Sequence, residues 1–283
     1  MLIRLGYDIQ FYLPQATPFI ALLSVHPSRE TDLVHPDELK LDPELAVSYY
    51  LDVFGNRCAR FVAGPGTITL RNDTLMEDSG ELDPENPEAR EVPVNDLPDE
   101  LLQFLLPSRY CEVDALAAAA ADLFGEVAPG WNRVQAICSW VYQKVRFGYG
   151  LSRPTKTALD VYTERTGVCR DFQHLAITFC RALNIPARYA TGYLGDIGVP
   201  PAPTAMDFSA WFEAYLEDRW WTFDARHNAR RIGRVLMATG RDAADVALTT
   251  TFGPAELQRF VVITEEQAEM AVPVRTTVAV NGD

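Results

Sequence analysis

The opening of the chain alternates strictly between apolar and polar positions. Ile3, Leu5, Tyr7, Ile9, Phe11 and Leu13 fall on one face at period two, which predicts a half-buried strand. VSYYLDVFGNRCARFVA (47–63) reads as two strands about a Phe-Gly-Asn turn, and GPGTITLRN (64–72) as another strand behind a Gly-Pro-Gly break. Together these stretches predict a small antiparallel β unit. At 82–99, LDPENPEAREVPVNDLPD holds four prolines and six acidic residues with no apolar period, the mark of a linker or exposed crossing segment.

Helical spacing takes over beyond it. DALAAAAADLF (114–124) is rich in the best helix former, and WNRVQAICSWVYQKV (131–145) repeats apolar residues at helical intervals. A third helix begins near Cys169, with the stripe Phe172, Leu175, Ala176, Phe179, Cys180 and Leu183, and Asn-Ile-Pro at 184–186 ends it. ARYATGYL, SAWFEAYL, RWWTFDA, DVALTTTF and QRFVVITEE then read as strands. This order is an α+β arrangement: an N-terminal antiparallel β domain with its acidic linker (1–100), then a core of helices and antiparallel strands (101–283).

Composition narrows the function classes. With 48% apolar and 23% charged residues over 283 positions, the chain has the balance of a globular protein. A formal net charge of −14 argues against a nucleic-acid partner and against docking on anionic membrane. Arg4, Asp8 and Gln10 interrupt the N-terminal apolar pattern, so no signal core is expected, and FIALLSV falls far short of a membrane span. Five cysteines (58, 111, 138, 169 and 180) are odd in number and include no Cys-x-x-Cys pair. Free thiols in a reducing cytoplasm, with no metal and no cofactor, are the expectation.

ERTGVCRDFQHLAITFC (164–180) carries the candidate chemistry. Cys169 falls on the same helical face as the apolar stripe, so it reads either as a small core residue or as a nucleophile. For the second reading, Gly167 lets the chain turn into the helix, and a helix N-terminus stabilises a thiolate and lowers its pKa. Asp224, after Trp220, Trp221 and Phe223, suits either a strand-end turn or the orientation of an imidazole.

TERTGVCRDFQHLAITFCRALNIPARYATGYL, followed by AWFEAYL and RWWTFDARHN, closely resembles the bacterial transglutaminase-like family, whose core is papain-like. The resemblance runs from about Trp131 to Gly253, and the first unit resembles the β domain that precedes this core in many members. It implies Cys169 as nucleophile and Asp224 as third member of a catalytic triad. The family's histidine is expected immediately before Ala210-Trp211, where this chain has Ser209. A serine hydroxyl cannot accept a proton near neutral pH as an imidazole does.

Elimination among the four histidines leaves one candidate base. His26 and His35 lie in Val-His-Pro contexts of the β unit, and His174, five positions after Cys169, points off its face. His227 can fold back toward Asp224 if the chain turns at ARHN, and it otherwise reads as a structural histidine. Ser209 and Trp211 are then expected to line the site. The remaining tryptophans suit an acyl-binding cleft or core packing.

Two functions fit these residues. One is thiol-dependent acyl transfer on peptide or amide groups of a peptide or protein substrate, through a Cys169 thioester resolved by water (a cysteine peptidase or amidase) or by an amine (a transglutaminase). The oxyanion would be held by the Cys169 N–H and one further donor. The other is a catalytically silent scaffold of the same fold that binds a peptide or protein partner.

Overall fold

The computed structural model describes residues 1–201 and 206–267. Six strands come first: β1 (Leu2–Leu13), β2 (Thr17–Ala21), β3 (Lys40–Asp42), β4 (Ser48–Leu51), β5 (Arg57–Ala63) and β6 (Gly66–Glu77). There follow α1 (Val113–Phe124), α2 (Trp131–Lys144), β7 (Arg146–Phe147), α3 (Ala158–Glu164), β8 (Thr166–Gly167) and α4 (Cys169–Ala182). The last described elements are β9 (Ala187–Leu194), β10 (Ser209–Leu216), β11 (Arg219–Phe223), β12 (Arg234–Gly240), β13 (Thr249–Thr251) and β14 (Glu256–Gln267).

The alternation in β1 does what its period dictates. Ile3, Leu5, Tyr7, Ile9, Phe11 and Leu13 are all buried, in one cluster with Phe19, Phe61 and Leu70. β1 pairs antiparallel with β6 and with β14, giving the sheet order β14-β1-β6-β3, and the second sheet runs β13-β2-β5-β4. The chain thus returns to its first unit after the core, and a division at residue 100 is crossed by β13 and β14. Of DVALTTTF only Thr249–Thr251 pairs as a strand, because Ala243–Val246 turns around Asp242.

The acidic, proline-rich crossing segment is held along its length rather than free. Asp83 accepts from Arg231 N (3.0 Å) and pairs with Arg234, and Glu91 takes Arg133 Nη1 at 3.0 Å. The Ala89 carbonyl accepts from Trp131 N at 2.9 Å.

In the core, the antiparallel sheet β11-β10-β9-β12 packs against α4, which α1, α2 and α3 surround. Every residue from Asp171 to Arg181 is buried. The helix is therefore enclosed on all sides, not only along its stripe, as expected of a central helix. This fixes its first residue, Cys169, against the sheet. The tryptophans serve packing: Trp131 meets Trp221 edge-on at 5.6 Å, and Trp140 stacks on Tyr162 at 5.9 Å.

Candidate active site

Local chemistry sets the start of α4. Asp171 Oδ2 accepts from Val168 N at 2.8 Å, capping the first turn from inside the helix. A Cβ on Gly167 would stand 2.6 Å from Asp171 Cβ, so glycine is required there for space, in place of the turn its presence suggests. Cys169 follows as the first helical residue and is partly exposed, whereas the other four cysteines are buried.

The turn required after β11 is present. Asp224 Oδ1 accepts from the backbone N–H of Arg226 (3.0 Å) and of His227 (3.1 Å). Asn228 N donates to the Asp224 carbonyl at 2.8 Å, with Asn228 at φ 49°, a left-handed conformation that asparagine tolerates. This tight turn brings His227 Nδ1 to 2.9 Å from Asp224 Oδ2. Burial opposes ionisation of Asp224, but the His227 hydrogen bond and the Arg234 charge outweigh it and hold the carboxyl well below the usual range. As a carboxylate it accepts from Nδ1–H, which leaves Nε2 as the basic nitrogen of His227.

Cys169, Ser209, Arg226 and His227 line one cavity of about 370 Å³, with Asp224 behind the imidazole. Within it the Arg226 guanidinium donates to His227 Nε2 and lies 4.0 Å from the Phe147 ring centre. Trp211 is buried and does not line this cavity; Arg234, which also contacts Asp224, covers its ring at 4.8 Å. Instead of lining the site, it packs beneath the Arg234 guanidinium that contacts the carboxylate.

Helix position alone misjudges the thiol. Burial, followed by the Asp207 carboxylate, pushes Cys169 up to about 11, outweighing the opposite pull of Arg226 and the Arg170 N–H. The resting sulfur is therefore protonated at neutral pH, and any attack needs a base. His174 packs wholly buried between Tyr110 and Tyr189, its Nε2 accepting from Ala243 N at 3.1 Å.

Four further residues shape the site. Gln173 is buried one turn beyond Cys169; its Nε2 donates to Ala210 O (3.1 Å) and Asp224 Oδ1 (3.2 Å), and its Oε1 accepts from Ala225 N (3.1 Å). It ties α4 to β10 and to the Asp224 turn. Its spacing of four from Cys169 was the available signal. Arg226 adjoins Asp224 in sequence, and Asp207 precedes Ser209 by two, a spacing that places both on one side of an extended chain. Arg234 has no comparable signal, because the sheet alone brings β12 to Asp224. No group of three or more His, Cys, Asp or Glu side chains suited to a metal occurs among the described residues.

Residues 117–225 match the family model of the transglutaminase-like superfamily. A provisionally named cysteine protease of known crystal structure from Cytophaga hutchinsonii is 34% identical, with a TM-score of 0.82 over 94% of this chain and 90% of that one. An uncharacterized protein of Mycobacterium leprae (strain TN), ML0607, is 28% identical over 209 residues, 70% of this chain and 73% of the relative.

Proposed function

This chain belongs to the transglutaminase-like superfamily, and from that premise we propose that it is a thiol-dependent acyl-transfer enzyme acting on amide groups of peptides or proteins. The observation that carries the proposal is the shared cavity: Cys169 at the start of a central helix lines the same space as an imidazole that Asp224 orients. The name of the Cytophaga relative agrees with cysteine-protease chemistry.

In this reading Cys169 Sγ bonds to the amide carbon while its proton passes to His227 Nε2. The Arg226 guanidinium must first leave that nitrogen, and the entering substrate is what displaces it. Negative charge then gathers on the carbonyl oxygen. The Cys169 N–H lies in the first helical turn, where backbone donors have no acceptor four residues back, and it is available to that oxygen. The imidazolium next gives its proton to the departing nitrogen, the C–N bond breaks and a thioester remains. Water or an amine attacks it, returning a proton to His227, and the thiol is released. Asp224 stays ionised throughout and stabilises the imidazolium.

A second reading, a silent peptide-binding scaffold, draws on Ser209 at the family's histidine position and on the protonated thiol. A p-nitrophenyl ester separates the two. Intact-mass and peptide mapping should find one acyl group on Cys169, and Cys169→Ala should abolish it. An unmodified Cys169 in folded protein that still binds peptide would establish the scaffold.

A further inference from the structure

Cys169 borders a second cavity as well. This one, about 520 Å³, adjoins the first, and the two share Tyr149, Cys169, Asp207, Phe208 and Ser209. Its wall is largely apolar: Phe208 and Phe260 meet edge-on at 5.9 Å, with Val246 and Leu248 nearby. Among the described residues one cation lines it, Arg170, and that side chain is already engaged. Its Nη2 donates to Arg153 O (2.7 Å) and Ser152 Oγ (3.3 Å), and its Nε faces Asp171.

The Asp207 carboxylate differs in having room for a partner. It accepts the Phe208 N–H and feels the Arg226 charge from the first cavity, but among the described residues no cation forms an ion pair with it. Tyr149, Cys169 and Asp207 line both cavities together, and the Asp207 charge pushes the phenol and the thiol up. A half-buried carboxylate beside aromatic faces, in an otherwise apolar space, matches an organic cation: the head meets the carboxylate and rings, and the carbon stem lies along the apolar wall. Arg226, Arg231 and His227 lie in the other cavity, so positive charge is concentrated away from this wall.

We propose that Asp207 is a specificity-determining residue, seating an ammonium or guanidinium group of the substrate in this second cavity beside the Cys169 sulfur. The assignment rests on Cys169 being the acyl-accepting thiol. A cation in this seat also offsets the charge that helps keep the thiol protonated, so a matching substrate readies its own nucleophile. Neutral and anionic substrates lack that help.

Alkylation of Cys169 tests this without a known substrate. The probes are 2-bromoethylammonium and iodoacetamide; in each case the Sγ–C bond forms, halide leaves with its electron pair and the thiol proton is lost to base. Rates at Cys169 are mapped by mass spectrometry and normalised to each reagent's rate with a small-molecule thiol. The preference for the cationic probe should fall at least about tenfold in Asp207→Asn. Iodoacetamide should react as fast or faster, with an unchanged thermal melt to show that the variant is folded. Asp207→Glu should keep the preference. An equal preference in wild type and Asp207→Asn overturns the assignment of Asp207 while leaving the acyl-transfer reading intact. Failure of both probes to modify Cys169 overturns the reactive-thiol reading and this inference with it.

Discussion

His227 Nδ1 stands 2.9 Å from Asp224 Oδ2, three residues before it in the chain. A strand continued through both would have sent the two side chains to opposite faces. The turn closed by Asn228 N and the Asp224 carbonyl removes that obstacle, and Gln173 and Arg234 hold the carboxylate in place from α4 and β12.

Asp224→Asn tests how far catalysis depends on that carboxylate. The amide would present N–H toward His227 Nδ1–H or toward Arg234, both donors. Loss of orientation and of imidazolium stabilisation should lower acylation of Cys169 by at least about a hundredfold. The assay is the burst of p-nitrophenol from an activated ester. A loss within about threefold would remove Asp224 from the mechanism.

Exposure singles out Cys169, while its protonation restrains it. Brief iodoacetamide treatment of the folded protein should modify Cys169 before Cys58, Cys111, Cys138 and Cys180, all of which are buried with raised thiol values. Because burial and Asp207 push the Cys169 thiol up to about 11, the rate should climb steeply across the alkaline range without a plateau near neutrality. A plateau between about pH 6 and 8 would show a preformed thiolate instead.

His174 gives the fold an acid limit. Burial holds the imidazole neutral, well below its ordinary value of 6.5, and Asp242 offsets this only in part. The unfolded chain takes up a proton near 6.5 and the folded chain does not, so stability is complete above that pH. It is lost as the pH falls, by up to about 1.4 kcal/mol per unit, until the folded state is protonated too. Denaturant midpoints measured from about pH 7 to 4 should decline, and His174→Gln should flatten that decline. An unchanged slope in the variant would place the acid sensitivity elsewhere.

What the sequence shows depends on whether neighbours in the chain or neighbours in space decide a feature. β1 is legible because burial on one face forces a strict period of two. Cys169, Asp224 and His227 are legible because each lies in a distinctive local motif, and the turn that unites the last two is written in Asn228. α3 is too short to display a helical period, although Thr157 and Asp160 cap it reciprocally. β12 hides in RVLMATG, a run without alternation that pairs with β9 through a shifted register. The charge state of Cys169 is the deepest miss. A helix terminus is local and favours the thiolate, but Asp207 and the burial around the sulfur come from the tertiary fold and win.

The central claim is that His227 takes the proton of Cys169 although Ser209 occupies the family's histidine position. Its most direct test is the rate of Cys169 acylation by a p-nitrophenyl ester near neutral pH in His227→Ala and Ser209→Ala, with thermal melting to confirm folding. Loss of the general base should slow His227→Ala by at least about a hundredfold, whereas Ser209→Ala should stay within about tenfold of wild type. A His227→Ala protein that acylates Cys169 at the wild-type rate, or a Ser209→Ala loss as large as that expected of His227→Ala, would contradict it.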